Sequence, residues 1–240
     1  MNKSNNRSQE VIEENLIHKN RNGISTEICT VLNDTFFMGS NNNSARGDLA
    51  YDLLEKQREI LDDLLKNLNI LEITRLVSVA DVCAVLQRIE VILKMIDTMK
   101  RYLTELGNQG ILIRMRVKEL SKGIEELEGL IIKDYSSKPV NTKKMLDSIA
   151  FEGVIDTDSL SRLLFEASPD TQLNPKGHRF LKKLNLAERE LKTLVMNFEA
   201  LPRILEASPE DLNRVLRGRS ESFKKELDNL REQILMGKKI

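Results

Sequence analysis

Residues 79–103 read VADVCAVLQRIEVILKMIDTMKRYL, and one pattern runs through them. Val79, Val82, Leu86, Ile89, Leu93, Ile96 and Leu103 recur at alternating steps of three and four, with Lys100 the one polar interruption. That spacing sets an apolar seam along one side of a helix. Val85, Ile92 and Met99 form a second stripe beside it and widen the buried face. A helix with so broad an apolar face packs against other helices. The spacing therefore predicts an all-α fold, with an antiparallel helical bundle running from about Leu54 to Tyr135.

The neighbouring segments fit that bundle. Leu54, Leu61, Leu65 and Leu68 share a helical face, flanked by Leu53, Ile60 and Leu64, in a helix expected to begin near Asp48 and end near Leu71. The Ser78 hydroxyl is placed to cap the seam helix. Gly107 and Gly110 predict a left-handed stop and a tight reversal. Ile113, Val117 and Leu120 start a third helix, Gly123 breaks it, and Ile124, Leu127, Leu130 and Ile131 make a fourth. Short connections make sequential helices antiparallel neighbours.

Beyond Pro139, short helices are expected at about 142–151, 158–167, 178–184, 187–199, 202–207, 209–216 and 220–236. Ser168-Pro169-Asp170 and Ser208-Pro209-Glu210 both read as helix starts, with a capping hydroxyl, a proline at the first position and an acid near the positive helix end. The chain divides into an Asn/Ser-rich segment (1–47) expected to be mobile, a helical spine (48–135), connecting helices (136–174) and a C-terminal helical domain (175–240). The apolar piece Ile28–Met38 is expected to form a short strand or to dock on the helices.

Composition narrows the function. There are 37 basic and 37 acidic residues, so a uniformly basic nucleic-acid coat is excluded. The distribution is uneven: residues 175–240 carry 15 Lys or Arg and 10 Asp or Glu, a balance of +5. Trp is absent and aromatics are 4%, which disfavours base stacking. Cys29 and Cys83 are single cysteines, and Cys83 beside the seam is expected to be a small buried hydrophobe. With His18 and His178 alone, no histidine metal site is expected, and no cofactor. No signal-peptide core or membrane-length apolar run is seen, which points to the cytoplasm. No nucleophile, metal or phosphate-loop arrangement appears, and the carboxylates read as solvated faces.

One constellation suggests a ligand. Arg217-Gly218-Arg219-Ser220 makes a turn between two short helices, and Arg214, Lys224 and Lys225 surround it. A turn leading into a helix offers backbone amides to phosphate, and the cations neutralise phosphates without reading sequence. Its competitor is a capped hairpin whose charges only solvate it. With Arg203 on the preceding helix, Arg203, Arg214, Arg217, Gly218, Arg219, Ser220, Lys224 and Lys225 are the candidate DNA contacts.

The chain resembles the DNA integrity scanning protein (DisA) family in the region that follows its cyclase domain. The resemblance rests on Leu54-Glu55-Lys56, Leu76-Val77, Asp81-Val82, Val85-Leu86-Gln87-Arg88, Glu90, Glu105-Leu106-Gly107, Gly110, Glu119-Leu120 and Lys133-Asp134-Tyr135. It continues with Gly177, Arg179, Phe198, Leu201-Pro202-Arg203, Glu206-Ala207-Ser208, Leu212 and Val215. It implies a helical spine followed by a tandem helix-hairpin-helix domain that binds branched DNA such as Holliday junctions. Family members carry a diadenylate cyclase domain that makes cyclic di-AMP from ATP with a divalent metal, is lowered by DNA binding and assembles as an octamer. Two departures stand out. The cyclase motifs Asp-Gly-Ala and Arg-His-Arg do not occur, so no enzyme activity is expected of this chain. The hairpin has Gly218 where the family has two glycines, and the first hairpin, around Leu184–Ala187, has none. The resemblance implies a non-enzymatic DNA-binding protein. Its alternatives are a spine that pairs with itself or with a full-length cyclase, and a chain classed with the cyclases by family alone.

Overall fold

The structure is a computed structural model that describes residues 43–105, 110–149 and 156–238. The expected Ile28–Met38 element and most of the Leu106–Gly110 reversal lie outside the described residues. Among the described residues the named elements are all helices, with one isolated antiparallel bridge between Ser78 and Gln172.

Helix α1 spans Asn43–Thr74 and α2 spans Val79–Glu105. Arg75, at φ 63°, ends α1 in the left-handed region, and the Leu76 amide returns to Leu71 O at 3.0 Å. That 6→1 bond is the usual way a helix closes its last carbonyls, though here without glycine. Ser78 and Asp81 then form a reciprocal cap on α2: the Ser78 amide donates to Asp81 Oδ2 at 2.8 Å, and the Asp81 amide to Ser78 Oγ at 3.3 Å. Helices α3 (Ile111–Ser121) and α4 (Ile124–Tyr135) meet at Gly123, whose φ of 77° suits glycine.

The chain forms two compact units. The first comprises the described part of Met1–Leu54 with Met95–Glu119, and the second Glu55–Lys94 with Leu120–Ile240. In the first, α1 and α3 touch closely: a Cβ on Gly47 would lie 2.5 Å from Ile113 Cδ1. The Arg116 guanidinium stacks 3.9 Å from the Tyr51 ring centroid and lies 4.0 Å from Asp48.

In the second unit, α2 is more enclosed than its seam requires. Every residue from Val85 to Ile92 is buried, including Gln87, Arg88 and Glu90. The helix is surrounded there on all sides. Cys83 is fully buried, as expected, and its Sγ lies 3.6 Å from Ser161 Oγ. Burial pushes its thiol up to about 11, so it is inert as a nucleophile at neutral pH.

Helices α5 (Pro139–Ser148), α6 (Thr157–Phe165), α7 (His178–Leu181), α8 (Glu188–Phe198), α9 (Leu201–Glu206), α10 (Pro209–Leu216) and α11 (Ser220–Leu235) complete the unit. Pro139 opens α5, so that helix starts three residues earlier than the sequence suggests. Phe180, Leu181, Leu194, Leu201, Ile204, Leu212, Phe223 and Leu227 form the core of α7–α11, with Ile73 of α1 in the same cluster. Each such side chain contributes roughly 1.5–3 kcal/mol on burial.

One expected helix start is corrected. Ser208 does cap α10, accepting the Asp211 amide at 3.1 Å. Ser168-Pro169-Asp170 instead makes an isolated turn, closed by Thr171 N to Ser168 O at 3.0 Å. Tertiary pairing overrides the local signal there. Pro169 O accepts the Ala80 amide, Thr171 O the Val79 amide and Val77 O the Leu173 amide, each at 2.9 Å. The segment satisfies the free amides at the start of α2 and cannot also coil into a helix.

Candidate nucleic-acid interface

The candidate site is built on two successive helix–turn–helix segments, α7–α8 and α10–α11. The second turn follows from α10 running out at Arg217, which takes φ 41° and donates its amide to Asn213 O at 3.0 Å. Gly218 follows at φ 88°, with open space where a side chain would stand. Its amide is already used, donating to Asn213 Oδ1 at 2.7 Å. Arg219 occupies the cap position of α11. Ser220 is the first helical residue of α11 and is largely buried.

In the first turn the Ala187 amide, at the cap position of α8, is held by Glu190 Oε2 at 2.9 Å. Arg219 reaches this turn from the second. Its Nη1 lies 3.2 Å from both Glu190 oxygens, and its Nη2 donates to Asn185 O at 3.0 Å. The two turns are thus tied side by side, and Arg219 is the strut between them.

The other candidate cations divide by partner. Arg203 of α9 pairs with Glu199, the left-handed cap residue of α8, at 3.0 Å, and Arg214 pairs with Asp211 one turn earlier on α10 at 3.4 Å. Lys224 donates to Leu205 O at 2.7 Å and lies 3.6 Å from Asp228. Arg217 and Lys225 are exposed and have no ion pair among the described residues. The turn therefore presents Arg217, Gly218 and Lys225, while Arg219 and Lys224 are held in the fold. Glu190, which neutralises Arg219, lies 29 residues away in sequence, and no local signal indicates it.

The α7–α11 segment is seated on α1 and α4 by buried charge, which sequence reasoning assigned to solvent. Arg179 Nη2 donates to Glu72 Oε2 and Nη1 to Asn69 Oδ1, both at 2.6 Å. The Tyr135 hydroxyl donates to the other Glu72 oxygen at 2.6 Å. Asp134 caps α7, accepting the His178 amide at 2.5 Å and the Arg179 amide at 3.0 Å. Burial, and then the nearby Glu72 carboxylate, push Asp134 up to about 7 against those amide bonds and the Arg179 charge. Gly177, at φ 100°, precedes α7 where a Cβ would lie 3.3 Å from Leu201, so both the angle and the space call for glycine.

A second buried group lies between α2, α4 and α5. Glu90 and Glu128 are 4% and 0% exposed, with Lys143 Nζ 2.7 Å from Glu128 and Lys94 Nζ 3.7 Å from Glu90. Burial and the adjacent Glu128 carboxyl push Glu90 up to about 8, opposed by the two lysines. Among the described residues no three His, Cys, Asp or Glu side chains converge as a metal site would need, and no helix is long and apolar enough to cross a membrane.

A family model for the DisA bacterial checkpoint controller linker region matches residues 44–168. The chain belongs to the DisA family. Among family relatives, the DNA integrity scanning protein DisA of Clostridium acetobutylicum is 35% identical over 206 residues, covering 82% of this chain. Its counterparts in Clostridium kluyveri and Clostridium tetani are 35% identical over 204 residues and 34% over 205. The chain spans 58%, 58% and 57% of the lengths of these three relatives. The family match extends through α1–α6, and the similarity to these relatives takes in most of the chain.

Proposed function

We propose that this chain is a non-enzymatic, DisA-like DNA-binding protein that contacts the phosphate backbone of duplex or branched DNA through its C-terminal hairpins. The observation that carries this reading is the exposed turn at Arg217–Gly218, with Arg217 and Lys225 in no ion pair among the described residues and open space at the glycine. Membership of a family whose relatives are named DNA integrity scanning proteins supports it. Two exposed cations, neither paired with a carboxylate among the described residues, are available to displace counterions from phosphates. Gel shifts with a Holliday junction and a linear duplex at low salt test the proposal. Retardation is expected, with weaker binding by Arg217→Gln/Lys225→Gln. Absence of retardation for both DNAs refutes it. Within the same reading the chain alone makes no cyclic di-AMP, and its production from ATP and manganese by the purified chain would overturn that part.

A second reading is favoured by a different observation. On α3, Leu112 and Met115 are 74% and 64% exposed, beside the half-exposed Ile111. Apolar area of this kind suits a protein partner, either another copy or a full-length cyclase. Light scattering with wild type and Leu112→Ser/Met115→Ser tests it. A wild-type monomer that fails to capture the full-length protein removes it.

A further inference from the structure

Lysines from three elements converge beside the first hairpin, away from the Arg217–Gly218 turn. On α4, Glu126 and Lys133 are exposed and lie two turns apart on one face. Lys182, just after α7, forms an ion pair with Glu126. Lys176 donates its amide to Asp134 O at 3.0 Å and its Nζ to Ser136 O at 2.8 Å, which holds it beside the end of α4. On α8, Lys192 pairs with Glu188 at 2.7 Å, and both are exposed.

The fields of these groups overlap. His178, half-buried at the start of α7, is held below the ordinary imidazole range by burial and then by Lys133 and Lys176. The Glu188 carboxyl is held low by Lys192, with Lys133 and Lys182 adding to it. Four ammonium groups thus share one surface with two carboxylates, and Lys133 has no ion-pair partner among the described residues. Lys133 belongs to the spine helix and the other three to the C-terminal hairpin region, so no single stretch of sequence shows the cluster.

We propose that Lys133, Lys176, Lys182 and Lys192 form a second phosphate-contact surface, so that a nucleic-acid backbone meets this unit at two places flanking the first hairpin turn. The partner is a phosphodiester polyanion, held as a row of charge rather than read by base edges. Compact ammonium groups on flexible stems suit that role. The inference rests on the DNA-binding reading given above.

The experiment is duplex binding by fluorescence anisotropy across a potassium chloride series, with wild type, Lys133→Gln/Lys192→Gln, Lys133→Arg/Lys192→Arg and Arg217→Gln/Lys225→Gln. Lys133 and Lys192 are chosen because they are exposed, whereas Lys176 also holds a backbone carbonyl. The glutamine pair is expected to reduce the slope of log affinity against log salt by about 0.9 to 1.8, at roughly 0.9 per phosphate contact, the lower figure applying if Lys192 stays with Glu188. The arginine pair is expected to keep the wild-type slope. Wild-type binding with an unchanged slope in the glutamine pair, or an equal loss in the arginine pair, overturns this surface and leaves the Arg217–Gly218 contact standing. No wild-type binding at low salt overturns both.

Discussion

Replacing Arg179 with Met tests whether buried charge seats the C-terminal hairpins. Arg179 is 5% exposed and its partner Glu72 1%, so neither is relieved by solvent. The substitution removes two charge-assisted hydrogen bonds, to Glu72 and Asn69, each worth about 1.5–3 kcal/mol. It keeps much of the buried side-chain volume. Glu72 is then left with the Tyr135 hydroxyl as its remaining bond in this network. Breaking one side of a buried pair typically costs about 3–5 kcal/mol. Equilibrium urea unfolding should show a lower midpoint corresponding to that loss. Arg179→Met/Glu72→Gln should recover part of it, giving a coupling energy above about 1 kcal/mol. A loss below about 1 kcal/mol in the single variant, or strict additivity in the double, refutes the claim that this pair seats the hairpins.

Further tests address other elements. Glu90→Gln should alter the pH dependence of stability. Because burial raises Glu90 to about 8, its proton is retained on folding, and the resulting stabilisation, present below the ordinary carboxyl range, disappears as pH rises through about 8. The wild type should therefore lose stability relative to Glu90→Gln between about pH 5 and pH 9 in thermal melts, and parallel curves would contradict this. Asp134 shifts in the same direction and should leave a residual slope in both proteins. Leu86→Asp places an unpaired carboxylate where the wild-type side chain is fully buried, and should cost more than about 4 kcal/mol or prevent folding. An unchanged melting temperature would show that α2 is not enclosed. Cys83 should resist alkylation in the native protein and react after denaturation, and rapid native labelling would contradict its burial.

The helices were legible because their signals are local. The three–four spacing over Val79–Leu103, the Ser78 cap, the Gly123 break and the Ser208-Pro209 start depend on residues within a turn or two of each other. What remained hidden depends on the tertiary fold. Arg88, Glu90, Glu128, Asp134 and Arg179 look like ordinary surface charges, since sequence gives residue type but not burial. Ser168-Pro169-Asp170 carries a good capping pattern, yet pairing with residues 77–80 claims its backbone. The ties of Arg219 to Glu190 and Asn185 come from the other hairpin, where no local spacing shows them. The Lys133 cluster required three separated elements to come together.

The enclosure of Val85–Ile92 also bears on the order of assembly. A helix covered on one face can dock last onto a finished surface, but one covered all around has no such surface to meet. Its neighbours must condense about it, and they must do so while Arg88 and Glu90 find their partners from Gln57 and the Glu128–Lys143 pair. Those polar contacts impose an axial register on an otherwise greasy cylinder, because sliding α2 by one turn would part Arg88 from Gln57 and Glu90 from the Glu128 carboxyl. The polar side chains in the middle of α2 thus act as alignment marks for the helices packed around it.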